Sequence, residues 1–73
     1  MCGTSVGDRF VSKETIYIYT KRDLSIAHDL RIMMGTVVHV IGVHADGVTV
    51  QISASAKTGF CHHDTLAHYF ARM

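Results

Sequence analysis

The stretch Leu30–Leu66, LRIMMGTVVHVIGVHADGVTVQISASAKTGFCHHDTL, decides how this chain is read. Gly35, after Met33-Met34, sits where a sharp turn needs a residue tolerant of positive φ. Val37 to Ile41 follow as an apolar strand in which His39 is the only polar member. Asp46-Gly47 predicts a hairpin, with Val43-His44-Ala45 lengthening its loop. Val48, Val50 and Ile52 then alternate with Thr49, Gln51 and Ser53, the period of a strand with one apolar face. Ser53 to Thr58 is small and polar, as a hairpin loop should be. Gly59 to Cys61 predicts a further short strand. Turns and strands in this order fit a small, strongly bent, mainly β barrel of about five strands.

Outward from this stretch, residues 1–5 read as a flexible tail, with an ordered core over about 7–70. Arg9-Phe10-Val11 predicts a first strand. Thr15 to Thr20, TIYIYT, alternates strictly, which places Ile16 and Ile18 toward the core and Tyr17 and Tyr19 outward, or into a partner groove. Lys21 to Asp29 stays open between two forms. One is a helical turn around Ile26-Ala27-His28 capped at Asp23 or Ser25; the other is an irregular loop. Asp64-Thr65 is placed to start a helix, and Leu66, Tyr69, Phe70 and Met73 follow at helical spacing. A short C-terminal helix or 3₁₀ turn carrying these side chains would plug one end of the barrel.

Seventy-three residues, 48% apolar and 18% charged, make a single globular domain spanning 1–73. Such a chain buries only about 60% of its unfolded surface, and a core of this size supplies roughly 3–5 kcal/mol. The formal charge of +1 is too small for a clamp on duplex DNA driven by phosphate neutralisation. No apolar run approaches the roughly 20 residues that cross a bilayer. MCGTSVGDRF carries neither a basic nor an apolar leader segment, so the expected location is cytoplasmic. Cys2 and Cys61 are then expected as free thiols.

Leu30, Gly35-Thr36, Val38, Val40, Gly42, Asp46-Gly47, Val48 to Ile52, Gly59-Phe60 and Leu66 occur in an order that resembles bacterial SH3-like domains. Over residues 16–66 the chain is more distantly similar to eukaryotic SH3 domains. The resemblance implies an SH3-like barrel that binds rather than catalyses. Tyr17 and Tyr19 resemble the paired tyrosines of the SH3 peptide groove, and Asp23 and Asp29 its acidic loop. Val48 stands where the groove tryptophan is expected, His62 where its proline is expected, and Thr65 where its last tyrosine is expected. A lone barrel without export signal or catalytic partner is typical of phage or mobile-element accessory proteins that modulate a host protein.

The function expected is therefore protein–protein interaction. The partner-binding surface is read as Tyr17, Tyr19, Arg22, Asp23 and Arg31, with His62 and His63 at its edge, since exposed tyrosine beside arginine is typical of interface hot spots. Tyrosine strands from two copies could also pair, giving a homo-oligomer. Two alternatives stand beside this reading. Lys13, Lys21, Arg22 and Arg31 around the tyrosines would suit a single-stranded nucleic-acid-binding barrel, although Glu14, Asp23 and Asp29 dilute the patch. Cys61, His63 and His68 could clip the domain through zinc, with Cys2, His28, His39 or His44 as fourth ligand. The competing expectation is that Cys61 packs inward and that neither metal nor cofactor is held. The sequence has no phosphate-binding glycine loop, paired carboxylate site or nucleophile elbow, so no enzyme is expected. Protonating all six histidines would raise the charge from +1 to +7, so the chain's charge is sensitive to acid.

Overall fold

A computed structural model describes residues 4–20 and 30–73. In chain order the elements are β1 (Arg9–Ser12), β2 (Ile16–Ile18), β3 (Leu30–Ile32), β4 (Val37–Val43), β5 (Gly47–Ile52), β6 (Thr58–His62), α1 (His63–Tyr69) and β7 (Phe70–Arg72). One sheet has the order β6-β5-β4-β1-β7, and β2 and β3 form a separate hairpin. Every pairing is antiparallel. The chain is mainly β with a short helix near its C-terminal end, as the hydrophobic period indicates.

Register explains the core. Val38 lies opposite Ile52, Val40 opposite Val50, and Val48 opposite Cys61. Phe10 on β1 continues the first of these rows beside Val38. Because side chains alternate across a strand, these residues share one face of the sheet, and all are buried. Ile18 and Ile32 of the hairpin cover that face, with Leu66 and Phe70 completing the cluster. Each fully buried valine, isoleucine or phenylalanine contributes about 1.5–3 kcal/mol of transfer free energy.

Two glycine signals turn out to have different causes. The Thr36 N–H donates to Met33 O at 3.0 Å and Gly35 has φ +87°, so Met33–Thr36 is a type II turn whose third residue needs positive φ. Asp46-Gly47 does mark the β4–β5 turn, but Gly47 already belongs to β5 and does not have positive φ. It is glycine because of crowding. A Cβ there would strike the Cys61 carbonyl oxygen and come within 2.6 Å of Phe60 Cζ and 2.8 Å of His62 Cα.

The C-terminal segment differs from the single helix the spacing predicts. Helix α1 starts at His63, with His62 as its N-cap, and ends at Tyr69. The chain then extends as β7, which pairs Phe70 with Ser12, Ala71 with Val11 and Arg72 with Phe10. Leu66 is buried from the helix and Phe70 from the strand, while Met73 is exposed. The backbone donors and acceptors along the free side of β1 are satisfied by this return. Side-chain spacing within the segment cannot register a pairing made with residues some sixty positions earlier. A clip closes the junction. Arg72 Nη1 donates to Asp8 Oδ2 at 2.7 Å, and its guanidinium lies 5.0 Å from the centre of the Phe10 ring. The Ser5 N–H donates to the same Asp8 oxygen at 2.8 Å. The Arg72 hydrogen bond, helped by Ser5, holds the Asp8 carboxyl below its ordinary value of 3.8.

Among the described residues no helix is long and apolar enough to cross a membrane. The question of a helical turn at Ser25–Asp29 lies outside the described residues, as do Cys2, Lys21, Arg22, Asp23 and His28.

Candidate binding groove

The tyrosine strand meets the main sheet at one point. Beyond the end of β2, the Tyr19 N–H donates to Phe60 O at 3.1 Å and the Phe60 N–H donates to Tyr19 O at 2.9 Å, an isolated antiparallel bridge between the hairpin and β6. Gly59 makes this approach feasible. A Cβ there would lie 2.6 Å from Leu30 Cδ2, 2.9 Å from Ile18 Cδ1 and 3.0 Å from Tyr19 O. Glycine within a strand is commonly a site of such close backbone approach.

The bridge builds a second small cluster on the face of β6 opposite Cys61. Phe60 is fully buried there. Its ring lies 5.2 Å from that of His62, edge-on, 6.5 Å from Tyr19 and 6.1 Å from His44. Tyr19 meets His62 edge-on at 5.6 Å. The imidazoles are anchored to the β4–β5 turn. His62 Nδ1 lies 3.1 Å from Asp46 O, and because a carbonyl only accepts, that nitrogen carries the proton. His44 Nε2 lies 2.9 Å from Thr49 Oγ1.

Tyr17, Tyr19, His62 and Thr65 line one groove, with Ile18, Phe60 and Cys61 as its floor. Its free space of about 20 Å³ makes it a crease for a side-chain tip, far below the roughly 300–1,000 Å³ of a small-molecule site. Tyr17 is 53% exposed. Arg31, also exposed, lies directly opposite Tyr17 on β3.

Four residues read from the sequence as a contact surface, Tyr17, Tyr19, Arg31 and His62, are thus brought together. His63 is not among them. It opens α1, its Nε2 donates to His44 O at 2.8 Å, and its Nδ1 is buried without a partner. It lines a separate depression with Phe10, Leu66 and Phe70. Thr65, which the SH3 resemblance places at the groove's last tyrosine position, joins the groove, and so does Phe60, which was not singled out for contact. The signal that could have found Phe60 is the adjacent strand glycine Gly59.

The zinc geometry expected from Cys61, His63 and His68 is absent. Strand β6 ends at His62, so Cys61 and His63 do not share a strand face. Cys61 is 2% exposed, and burial pushes its thiol up to about 12, whereas metal binding and nucleophilic attack need the thiolate. His68 is exposed on α1, edge-on to Tyr69 at 4.6 Å. His39 sits opposite Gln51 and Arg9 on the outer face of the sheet. Among the described residues no three His, Cys, Asp or Glu side chains are grouped to hold a metal ion.

No protein-family model, curated protein or solved structure matches this chain.

Proposed function

We propose that this chain is an SH3-like barrel that binds a protein partner through the groove between its tyrosine hairpin and α1. The barrel reading is supported by the strand order, in which β1 stands between β4 and β7, and by the Tyr19–Phe60 bridge that carries the hairpin onto β6. A type II turn leads from the hairpin into β4, and a short helix separates the last two strands. The observation that carries the binding reading is the convergence of Tyr17, Tyr19, His62 and Thr65 on one groove. These are four of the five positions that the SH3 resemblance assigns to the peptide groove; the fifth, Val48, is buried in the core instead. A rigid aromatic rim of this kind contributes contact area at small entropic cost.

The groove is narrow, half apolar and shallow, so it suits the side chains of an extended segment. Anchors of this type dominate interface energetics. The test is quantitative capture from a nuclease-treated lysate of the cells that carry the protein, using wild type, Tyr17→Ala and His62→Ala as baits. A stoichiometric protein retained by wild type and lost by both variants is the expected result. Capture indifferent to both substitutions would contradict the groove as the binding surface.

A further inference from the structure

Building on the groove as a protein-binding surface, we infer that its partner segment is extended and acidic, with an apolar side chain against Tyr17, Tyr19 and His62 and a carboxylate that meets Arg31. Arg31 faces out beside Tyr17, directly across the hairpin, and makes no ion pair among the described residues. A guanidinium in that position offers a fork of N–H donors that matches a carboxylate. None of the described residues lining the groove is acidic. Carboxylates flank the groove in sequence at both ends: Glu14 precedes Tyr17 by three residues and Asp29 precedes Arg31 by two, while Asp64 precedes Thr65. In the linking sequence from 21 to 29, Lys21 and Arg22 are balanced by Asp23 and Asp29, so formal charge there adds no bias.

A peptide fits better than single-stranded nucleic acid. Base stacking needs free ring faces and a cationic track for the phosphates. The Tyr19 ring is engaged with Phe60 and His62, which leaves Tyr17 as the exposed ring. Arg31 is the one arginine or lysine beside the groove among the described residues.

The experiment is fluorescence anisotropy with four labelled probes. They are short peptides of alternating leucine and glutamate, of alternating leucine and lysine, and of proline-rich sequence, together with oligothymidylate. Each is titrated with wild type, Arg31→Gln, Arg31→Glu and Tyr17→Ala. Both Arg31 substitutions are on the surface and leave the core intact. The leucine–glutamate peptide should bind wild type most tightly. Removing the exposed charge should weaken it roughly threefold, and reversing the charge roughly tenfold. Tyr17→Ala should abolish it, and Arg31→Glu should improve the leucine–lysine peptide. A wild-type preference for the lysine or proline peptide, lost in Tyr17→Ala, would overturn the acidic preference while leaving the groove as a protein-binding surface. Preference for oligothymidylate would overturn the peptide class. An acidic peptide whose binding ignores Tyr17→Ala, or absence of peptide binding altogether, would overturn both.

Discussion

The β4–β5–β6 meander and the β2–β3 hairpin make opposite use of the same strand geometry. In the meander, alternation divides core from surface, and the inward row of Val38, Val40, Val48 and Val50 is sealed completely. In the hairpin, alternation divides two jobs. Ile18 and Ile32 close the core, while Tyr17 and Arg31 on the other face stay open to solvent. The two regions touch through Gly59, Phe60 and Tyr19, where β6 is buried on both faces. The meander thus carries stability, the proposed contact surface lies on the hairpin, and the seam fixes one relative to the other.

The largest expected effects lie in the meander. Gly47→Ala places a Cβ against the Cys61 carbonyl and the Phe60 ring. The first obstacle is backbone inside a paired ladder and cannot swing aside, so a loss of about 1–3 kcal/mol is expected in urea unfolding. Gly59→Ala meets mainly the flexible ends of Leu30 and Ile18, and should cost less while loosening the hairpin from β6. Amide hydrogen exchange at Tyr19 and Phe60 would rise before that of Val50 does. Equal exchange at both places would show that hairpin and meander open as one unit.

Cys61 is the next test. Its folded value of about 12 lies above the ordinary cysteine value of 9.0, because burial disfavours the thiolate. The folded state therefore holds a proton that the unfolded chain releases. Its stabilising contribution is complete below about pH 9 and is lost as pH rises from there toward 12. Urea midpoints measured over that range should fall more steeply in wild type than in Cys61→Ala. In the native state the thiol should resist alkylation at neutral pH, and rapid labelling without unfolding would refute its burial.

Smaller effects separate the two tyrosines. Tyr19→Ala removes a ring packed on Phe60 and His62 and should destabilise by about 1–2 kcal/mol. Tyr17→Ala removes an exposed ring and should stay within about 0.5 kcal/mol of wild type. Smallest of all is Asp8→Asn. Its carboxyl is held below the ordinary value mainly by Arg72, so its contribution is present above that value and fades as pH falls through the folded one. The substitution should flatten the acid limb of the stability profile by slightly lowering stability at neutral pH, and leave the acid end almost unchanged.

Sheet and turns were legible because they rest on local rules. Val48, Val50 and Ile52 alternate without exception, and Gly35 occupies a turn position that needs positive φ. The hairpin's inward isoleucines were legible for the same reason. What local pattern could not show was pairing between distant segments. Phe70-Ala71-Arg72 reads as the tail of a helix because Leu66 and Tyr69 precede it at helical spacing, yet β1 draws it into the sheet. Cys61, His63 and His68 were grouped as zinc candidates by residue type, but the change from strand to helix after His62, which leaves no break in composition, sets His63 apart from Cys61. Of the groove, Tyr17, Tyr19, Arg31 and His62 were visible as residue types. Their convergence depended on the Tyr19–Phe60 bridge, for which Gly59 was the one sequence trace.

The division between stability and contact is tested most directly by two readouts on one preparation of Tyr17→Ala: thermal unfolding and partner capture. A melting temperature within a few degrees of wild type, together with lost capture, is the expected pair. Retained capture, or a collapse of the melting temperature, would contradict it.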